Sequence, residues 1–181
     1  MNYTSQQLEE LTLQWGKDRK ITINGKLEIQ FLKLIEENGE FYDSEGDIEK
    51  IKDSIGDQIV VLTMMNGLID SKFTYEEVFV DVNNICLITA MMCSIKGKIA
   101  GFIARNKLDM LPDLINKYLK LLDLLANASG LTLNECWNYA YNEIKDRKGY
   151  LAENGCFIKE EDYSDAKIKD ALDYFKSNKI V

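Results

Sequence analysis

The sequence predicts an all-α protein, an antiparallel helical bundle with a small β-hairpin near its C-terminal end. One proline and 11 glycines are spread through 181 residues, so few breakers interrupt the chain and long helices are expected. Apolar residues recur at helical spacing along most of its length. A chain of this size is long enough for one well-packed core, and residues 1–181 are therefore expected to form a single domain.

The first part of the chain is expected to contain three helices. Apolar periodicity places them over residues 5–16, 27–41 and 48–65. Residues 21–25 have the composition of a turn-rich connection. Residues 43–47 form a polar loop, in which Asp47 is suited to cap the third helix.

Two long helices are expected in the middle of the chain. Thr74 and Glu77 form a capping box that opens a helix over residues 74–103. A strongly apolar helix follows over residues 110–128, with Pro112 in its first turn, where proline is tolerated.

The last third is expected to hold a helix, a hairpin and a short final helix. Thr132 and Glu135 form a second capping box. The three elements are predicted over residues 132–148, 150–158 and 166–175.

Composition excludes several functional classes. The chain contains no His and its four cysteines form no C-x-x-C pair, so a zinc site and a His general base are not expected. A net charge of -8 disfavours a DNA-coating surface. The N-terminal segment lacks the regions of a signal peptide, and no apolar run is judged long enough to span a bilayer. A reducing, cytoplasmic setting without membrane or nucleic-acid partners is therefore expected.

Five acids on consecutive predicted helices are the most informative feature of the sequence. They are Glu36, Glu37 and Glu40 on one helix, and Asp53 and Asp57 on the next. Within each helix they lie three or four residues apart, which places them on one face. Crowded carboxylates repel one another unless a cation lies between them, and oxygen ligands suit Mg²⁺ or Mn²⁺. The alternative, a solvated acidic face, fits Glu36 best.

Several segments of the chain resemble one enzyme family. They are Q-W-G-K-D-R at residues 14–19, E-E-N-G-E at 36–40, D-S-I-G-D-Q-I-V-V-L at 53–62, N-E-I-K-D-R-K-G at 142–149 and N-G-C-F-I-K-E-E-D at 154–162. Together they are similar to the MazG-like all-α nucleoside triphosphate pyrophosphatases, particularly the versions common in bacteriophages. The acidic motif is moderately specific, and its combination with the basic tail is more so. The resemblance implies the helical bundle of that family.

The resemblance also implies an activity and a metal site. The expected reaction is Mg²⁺-dependent cleavage of a nucleoside triphosphate between its α- and β-phosphates, giving a monophosphate and pyrophosphate, with Mn²⁺ as a substitute metal. Glu36, Glu37, Glu40 and Asp57 match the family's acidic pattern, and the expected metal ligands are Glu37, Glu40, Asp53 and Asp57, with Asp53 either a direct ligand or acting through water. Ser54 stands where the family usually has Glu, so the neighbouring Asp53 is expected to carry more of the site. A remaining carboxylate, Glu37 or Glu36, is expected to take the proton of the attacking water.

The expected substrate contacts are cationic, amide and aromatic side chains. They are Lys145, Arg147, Lys148, Asn142, Lys33 and Trp15. Each has a simpler alternative: cations complement the end of a helix, Asn142 and Lys33 are suited to face solvent, and a tryptophan on an apolar helix face is more often core than base-stacking. The resemblance favours phosphate contact for Lys145 and Arg147.

Residues 69–130 have no counterpart in the typical family domain. We interpret them as a two-helix insertion, a degenerate repeat of the catalytic helix pair without its acids. Because a second subunit commonly packs against the catalytic helices in this family, a homodimer is expected, with the insertion replacing part of the partner surface. The competing interpretation is a non-catalytic helical interaction or nucleotide-binding protein on the same fold, which Ser54 favours.

Overall fold

A computed structural model describes residues 2–75, 84–160 and 162 of the chain. Most of these residues are helical and a two-stranded antiparallel sheet lies near the C-terminal end, so the all-α prediction is confirmed at this level. The helices are α1 (Ser5–Asp18), α2 (Ile21–Asn24), α3 (Leu27–Asp43), α4 (Ile48–Leu68), α5 (Ile85–Ala104), α6 (Leu111–Ala128) and α7 (Leu133–Ile144). The strands are β1 (Gly149–Leu151) and β2 (Phe157–Lys159).

Helix α4 is the centre of the fold. It packs against α1, α2, α3, α6 and α7, because its sequence is apolar on more than one face. Ile55, Ile59 and Leu62 are completely buried in the main core. Gly56 allows α7 to approach closely, since a Cβ at this position would collide with the carbonyl oxygen of Cys136.

Two predicted helix starts are confirmed together with their caps. The Asp47 side chain accepts hydrogen bonds from the backbone N–H groups of Glu49 and Lys50 at the start of α4. Thr132 and Glu135 form the predicted capping box at the start of α7. These local contacts pair backbone donors that a helix start leaves free.

The predicted end of α7 is wrong by about one turn. The helix ends at Ile144 rather than at residue 148. The Arg19 guanidinium, from the end of α1, donates hydrogen bonds to the carbonyl oxygens of Lys145 and Arg147. Gly149 already pairs with Lys159 in the sheet. Tertiary partners therefore replace the bonds that another helical turn would make.

Two other elements differ from prediction. Residues 21–25, expected as a connection, contain the short helix α2. The helix predicted from Thr74 begins instead at Ile85, capped by Asn84. Thr74 is not helical and its backbone N–H donates to Asn116 Oδ1 at 2.8 Å. The Thr74–Glu77 capping box and the final helix over residues 166–175 involve positions outside the described residues.

The predicted hairpin is confirmed. Strands β1 and β2 pair antiparallel, with Gly149 opposite Lys159 and Leu151 opposite Phe157. Gly155 in the turn has φ 88°, a left-handed conformation that glycine adopts without steric cost. The hairpin brings Phe157 and Lys159 back toward the helices.

Helix α5 is long and apolar enough, by length and composition, to cross a membrane, and 17% of its apolar window is buried. The expectation that no apolar run reaches this length is therefore wrong. A single helix identified by length and composition alone is weak evidence for a membrane span. Helix α5 packs against α6 and α3. Whether α5 and α6 repeat the α3–α4 pair stays a prediction.

Candidate functional site

A cavity of about 370 Å³ lies among α1, α2, α3, α4, α7 and the hairpin. Its walls combine carboxylates, cations and apolar groups. The charged and amide residues are Gln30, Lys33, Glu36, Glu37, Glu40, Asp53, Asp57, Glu143, Arg147 and Lys159. The apolar wall is made by Trp15, Ile21, Ile29, Val60, Val61, Met64, Ile144 and Phe157, beside Cys156.

The two halves of the cavity are ordered along α4. Asp53 and Asp57 lie at one end of the face of α4 that lines the cavity, and Val60 and Met64 continue that face at helical spacing. At roughly 1.5 Å per residue, Asp53 and Met64 are about 16 Å apart along the axis. The cavity is therefore acidic at one end and apolar at the other.

Helix α3 also lines the cavity with apolar residues at one end and acidic residues at the other. Residues 44–47 join the two helices, which pack against each other and so run antiparallel. Ile29 of α3 contributes to the apolar end, and Glu37 and Glu40 contribute to the acidic end. The structure thus brings all five sequence-predicted acids to one cavity wall, and α7 adds Glu143.

Burial and the repulsion of neighbouring acids oppose ionisation of Glu37, Asp53 and Asp57. Burial, with the charge of Asp57 next in importance, raises the pKa of Glu37 to about 7. Burial and the neighbouring Asp53 raise the pKa of Asp57 to about 6, against the opposing effects of Arg147 and Lys159. The pKa of Asp53 is also raised, first by burial and then by Glu143. Such shifts arise where acids are crowded without enough positive charge.

Lys33 supplies one counter-charge on the same helix. Its Nζ lies 3.0 Å from Glu36 Oε2 and 3.6 Å from Glu37 Oε1. Burial acts to lower the pKa of Lys33, but the hydrogen bond to Glu36 and the charge of Glu37 outweigh it and the pKa is raised. Lys33 thus offsets part of the negative charge of Glu36 and Glu37.

Arg147 is the part of the predicted basic segment that lines the cavity. Its backbone is held by Arg19, whose Nε lies 2.8 Å from the Arg147 carbonyl oxygen. The Arg19 guanidinium also lies over the Trp15 ring, 4.7 Å from its centre. Arg19 therefore joins α1 to the turn that carries Arg147, although it is not itself a lining residue.

The other predicted residues of this segment lie outside the cavity wall. Lys145 Nζ donates to Asn142 Oδ1 at 3.0 Å, and Asn142 Nδ2 donates to the carbonyl oxygen of Asn138 at 2.8 Å. Lys148 is exposed, and its carbonyl oxygen accepts from the N–H of Glu160. The structure does not bring Lys145, Asn142 or Lys148 to the acids.

Ser54 has a structural partner rather than a place in the cavity wall. Its Oγ donates to the Glu37 carbonyl oxygen at 2.7 Å, and the residue is 1% exposed. Gln58 Nε2 in turn donates to the Ser54 carbonyl oxygen, and Tyr118 Oη donates to Gln58 Oε1. Ser54 fixes α4 against α3 directly behind Glu37, while Asp53 faces the cavity.

The donor set is suited to a hard divalent cation. Glu37, Glu40, Asp53 and Asp57 offer only oxygens and face one cavity, which is the chemistry that Mg²⁺ and Mn²⁺ prefer. The raised pKa values of Glu37 and Asp57 show that added positive charge would be stabilising there. Among the described residues, no three His, Cys, Asp or Glu side chains are close enough to hold a metal ion as they stand. Direct coordination of one ion by three or more of these acids would therefore require their side chains to move, whereas one or two carboxylates with waters would not.

No protein-family model, curated protein or solved structure matches this chain.

Several lining residues were not predicted from the sequence, among them Glu143, Gln30, Phe157 and Lys159. Glu143 lies four residues before Arg147, so helical spacing from the basic segment could have identified it. Helical spacing gives no such signal for Phe157 and Lys159 of the tail segment at 154–162. The last two reach the cavity through the pairing of β1 with β2.

Proposed function

We propose that this chain is a Mg²⁺-dependent nucleoside triphosphate pyrophosphohydrolase of the MazG-like type, cleaving an NTP or dNTP to the monophosphate and pyrophosphate. The observation that carries the proposal is the two-ended cavity. A nucleotide has a matching arrangement, because its phosphates are anionic and the flat faces of its base can pack against apolar side chains. The acidic end is suited to metal-bound phosphates, and the apolar end to the base.

Glu37, Glu40, Asp53 and Asp57 are the residues that would hold Mg²⁺, or Mn²⁺ in its place. When bound, the metal would neutralise phosphate charge and make a coordinated water more acidic. The carboxylates of α3 and α4 are supported from behind by Ser54, which bonds to the Glu37 backbone. That support would keep the acidic wall in place when phosphate charge enters.

Cationic side chains from three elements would contact the phosphates. Arg147 and Lys159 line the cavity from the turn after α7 and from β2, and Lys33 lines it from α3. In phosphoryl transfer most of the protein's contribution is positioning and charge stabilisation. Arg147 and Lys159 are therefore the proposed contacts for the outgoing pyrophosphate.

Glu37 and Glu36 remain the candidates for the general base. Burial raises the pKa of Glu37 to about 7, which suits proton transfer near neutral pH. The Glu36 side chain is 57% exposed and paired with Lys33. The difference in burial favours Glu37 as the base in any step where it does not ligate the metal.

A second candidate function is nucleotide binding without catalysis, on the same helical bundle. It is favoured by Ser54, which is buried and bonded to the backbone where an acid is usual in the family that the sequence resembles. The dispersed carboxylates also favour it, since the described residues contain no preformed metal cluster.

A homodimer remains our proposal for the assembly, and the cytoplasm for the location. Exposed apolar side chains on two neighbouring helices support the dimer. Leu32, Ile35 and Tyr42 on α3 and Leu87 and Met91 on α5 are each at least 40% exposed. Contiguous exposed apolar surface is typical of interaction sites. Nucleic acid and membrane are not proposed as partners.

The test is pyrophosphate release from a panel of NTPs and dNTPs with Mg²⁺. The wild-type protein should turn over at least one nucleotide, and Glu40→Gln and Asp57→Asn should each reduce the rate at least 100-fold. Glu10→Gln, an exposed acid on α1 away from the cavity, is the control and should retain full activity. Nucleotide binding without any release would instead support the second candidate.

A further inference from the structure

A line of buried polar side chains connects α6 with the backbone behind Glu37. Tyr118 Oη donates to Gln58 Oε1 at 2.9 Å, and Gln58 Nε2 donates to the Ser54 carbonyl oxygen at 3.2 Å. The Ser54 hydroxyl then donates to the Glu37 carbonyl oxygen at 2.7 Å. Tyr118 and Gln58 are completely buried, and Ser54 is 1% exposed. None of the three lines the cavity, so they contact the acidic wall from behind.

The direction of each of these hydrogen bonds depends on Tyr118. Burial raises the pKa of Tyr118, so its hydroxyl keeps its proton and donates to Gln58 Oε1. That bond turns Gln58 Nε2 toward Ser54, where it lies 3.4 Å from Ser54 Oγ. An amide NH₂ group cannot accept, so the single Ser54 hydroxyl proton goes to the Glu37 carbonyl oxygen. Without the Tyr118 hydroxyl, the buried Gln58 oxygen would lose its donor and would compete for the Ser54 proton.

Helix α5 contacts the same turn of α3 through a second polar pair. Lys96 Nζ donates to Asn38 Oδ1, and Asn38 is 2% exposed and follows Glu37 in sequence. Lys96 forms no ion pair with any described acid. The acidic turn lies close to the C-terminal end of α3 at Asp43, and helix ends open more readily than helix centres. Contacts from neighbouring helices therefore matter for the position of this turn.

We propose that α5 and α6 position the acidic wall of the cavity, with Tyr118 and Lys96 as positioning residues. Tyr118 acts on the Glu37 backbone through two side chains of α4, and Lys96 acts on the next residue of α3. Because Ser54 directly follows Asp53 on α4, its bond fixes the acids of α3 relative to those of α4. A cation between the two helices would require that spacing to be maintained. This inference rests on the proposed metal-dependent function and gives residues 69–130 a role in it.

The first readout is the backbone carbonyl ¹³C signal of Glu37, measured by NMR in EDTA. A carbonyl carbon moves upfield when it loses a hydrogen bond. Tyr118→Phe removes one hydroxyl and keeps the ring, and it should move the Glu37 signal in the same direction as Ser54→Ala, which removes the donor itself. The double variant should show no more than the Ser54→Ala shift, because Tyr118 acts through Ser54.

The second readout is the affinity for Mn²⁺ alone, measured by isothermal titration calorimetry. Tyr118→Phe and Lys96→Met should each weaken Mn²⁺ binding about three- to tenfold, the effect expected from the loss of one hydrogen bond. Lys96 is only partly buried, so its substitution provides a second variant if Tyr118→Phe does not fold. The matched control is Tyr75→Phe, which removes a hydroxyl that donates to Glu9 Oε2 at 2.8 Å, outside the cavity, and should keep the wild-type affinity.

Two results would overturn the positioning role. They are an unchanged Glu37 carbonyl signal in Tyr118→Phe, and wild-type Mn²⁺ affinity in both Tyr118→Phe and Lys96→Met. Additive losses of Mn²⁺ affinity in Tyr118→Phe and Ser54→Ala would contradict the route through Ser54. Absence of Mn²⁺ binding by the wild type at millimolar concentration would reject the metal site of the proposed function, and the carbonyl signal would still decide whether Tyr118 acts on Glu37.

Discussion

Replacement of Glu37 by Gln should make the metal-free protein more stable at pH 8 and remove much of its pH dependence. Glu37 is 8% exposed, and burial raises its pKa from 4.5 to about 7. A carboxyl whose pKa is raised in the folded state binds more protons when folded than when unfolded. Its contribution to stability is therefore greatest at low pH and is lost as the pH rises from 4.5 through 7.

The magnitude follows from that shift. Each pKa unit corresponds to about 1.4 kcal/mol, so the change at Glu37 lowers the free energy of unfolding by about 3 kcal/mol between pH 4.5 and pH 8. Gln is close in size and cannot ionise, so it avoids this loss. The variant should exceed the wild type in stability by roughly 2 to 3 kcal/mol at pH 8, and the difference should shrink toward zero near pH 4.5.

Urea denaturation in EDTA, followed by circular dichroism at a series of pH values, measures the difference directly. Glu36→Gln is the matched control, because the Glu36 side chain is next to Glu37 in sequence but is 57% exposed. This substitution should change the free energy of unfolding by no more than about 0.5 kcal/mol. Addition of Mg²⁺ at pH 8 should stabilise the wild type more than the Glu37→Gln variant. Parallel pH profiles for wild type and Glu37→Gln would refute the assignment of Glu37 as a buried, repelled acid.

Three further predictions test the surroundings of the site. Arg19→Gln should release the turn after α7 and lower kcat/KM for pyrophosphate release about tenfold. Arg19→Lys should recover part of that loss. Unchanged kinetics in both variants would contradict a positioning role for Arg19. Gly56→Ala should lower the free energy of unfolding, measured by urea denaturation, by about 1 to 3 kcal/mol, because the added Cβ has no room against α7. Gly39→Ala on α3 has open space around the added Cβ and should be neutral or stabilising. The double substitution Leu87→Glu and Met91→Glu places charge on exposed apolar surface and should convert the dimer to a monomer. Light scattering measures the molar mass, and a monomeric wild type would reject the dimer.

The acidic half of the site was predictable because it depends on local geometry. Helical spacing alone places Glu37 and Glu40 on one face of α3, and Asp53 and Asp57 on one face of α4. The short polar connection between the helices makes them antiparallel neighbours. These two facts bring the acids together without knowledge of the rest of the chain.

The basic half was predicted less well because its residues depend on long-range contacts. Lys145, Arg147 and Lys148 look equivalent in sequence, but Arg147 alone among them lines the cavity. The reason is that α7 ends early, at Ile144. In the turn that follows, the carbonyl oxygens of Lys145 and Arg147 accept hydrogen bonds from Arg19, which is distant in sequence. Periodicity within α7 carries no information about Arg19.

The sequence by itself determined the helical class, the caps of α4 and α7, the hairpin and the shared face of the acids, since each depends on residues within a few positions of one another. Tertiary structure alone decided where α7 ends, that Ser54 bonds to the backbone behind Glu37, and that the buried N–H of Trp15 has no partner among the described residues. These features depend on groups that are distant in the chain and meet only after the helices pack. The same packing makes the cavity acidic at one end and apolar at the other.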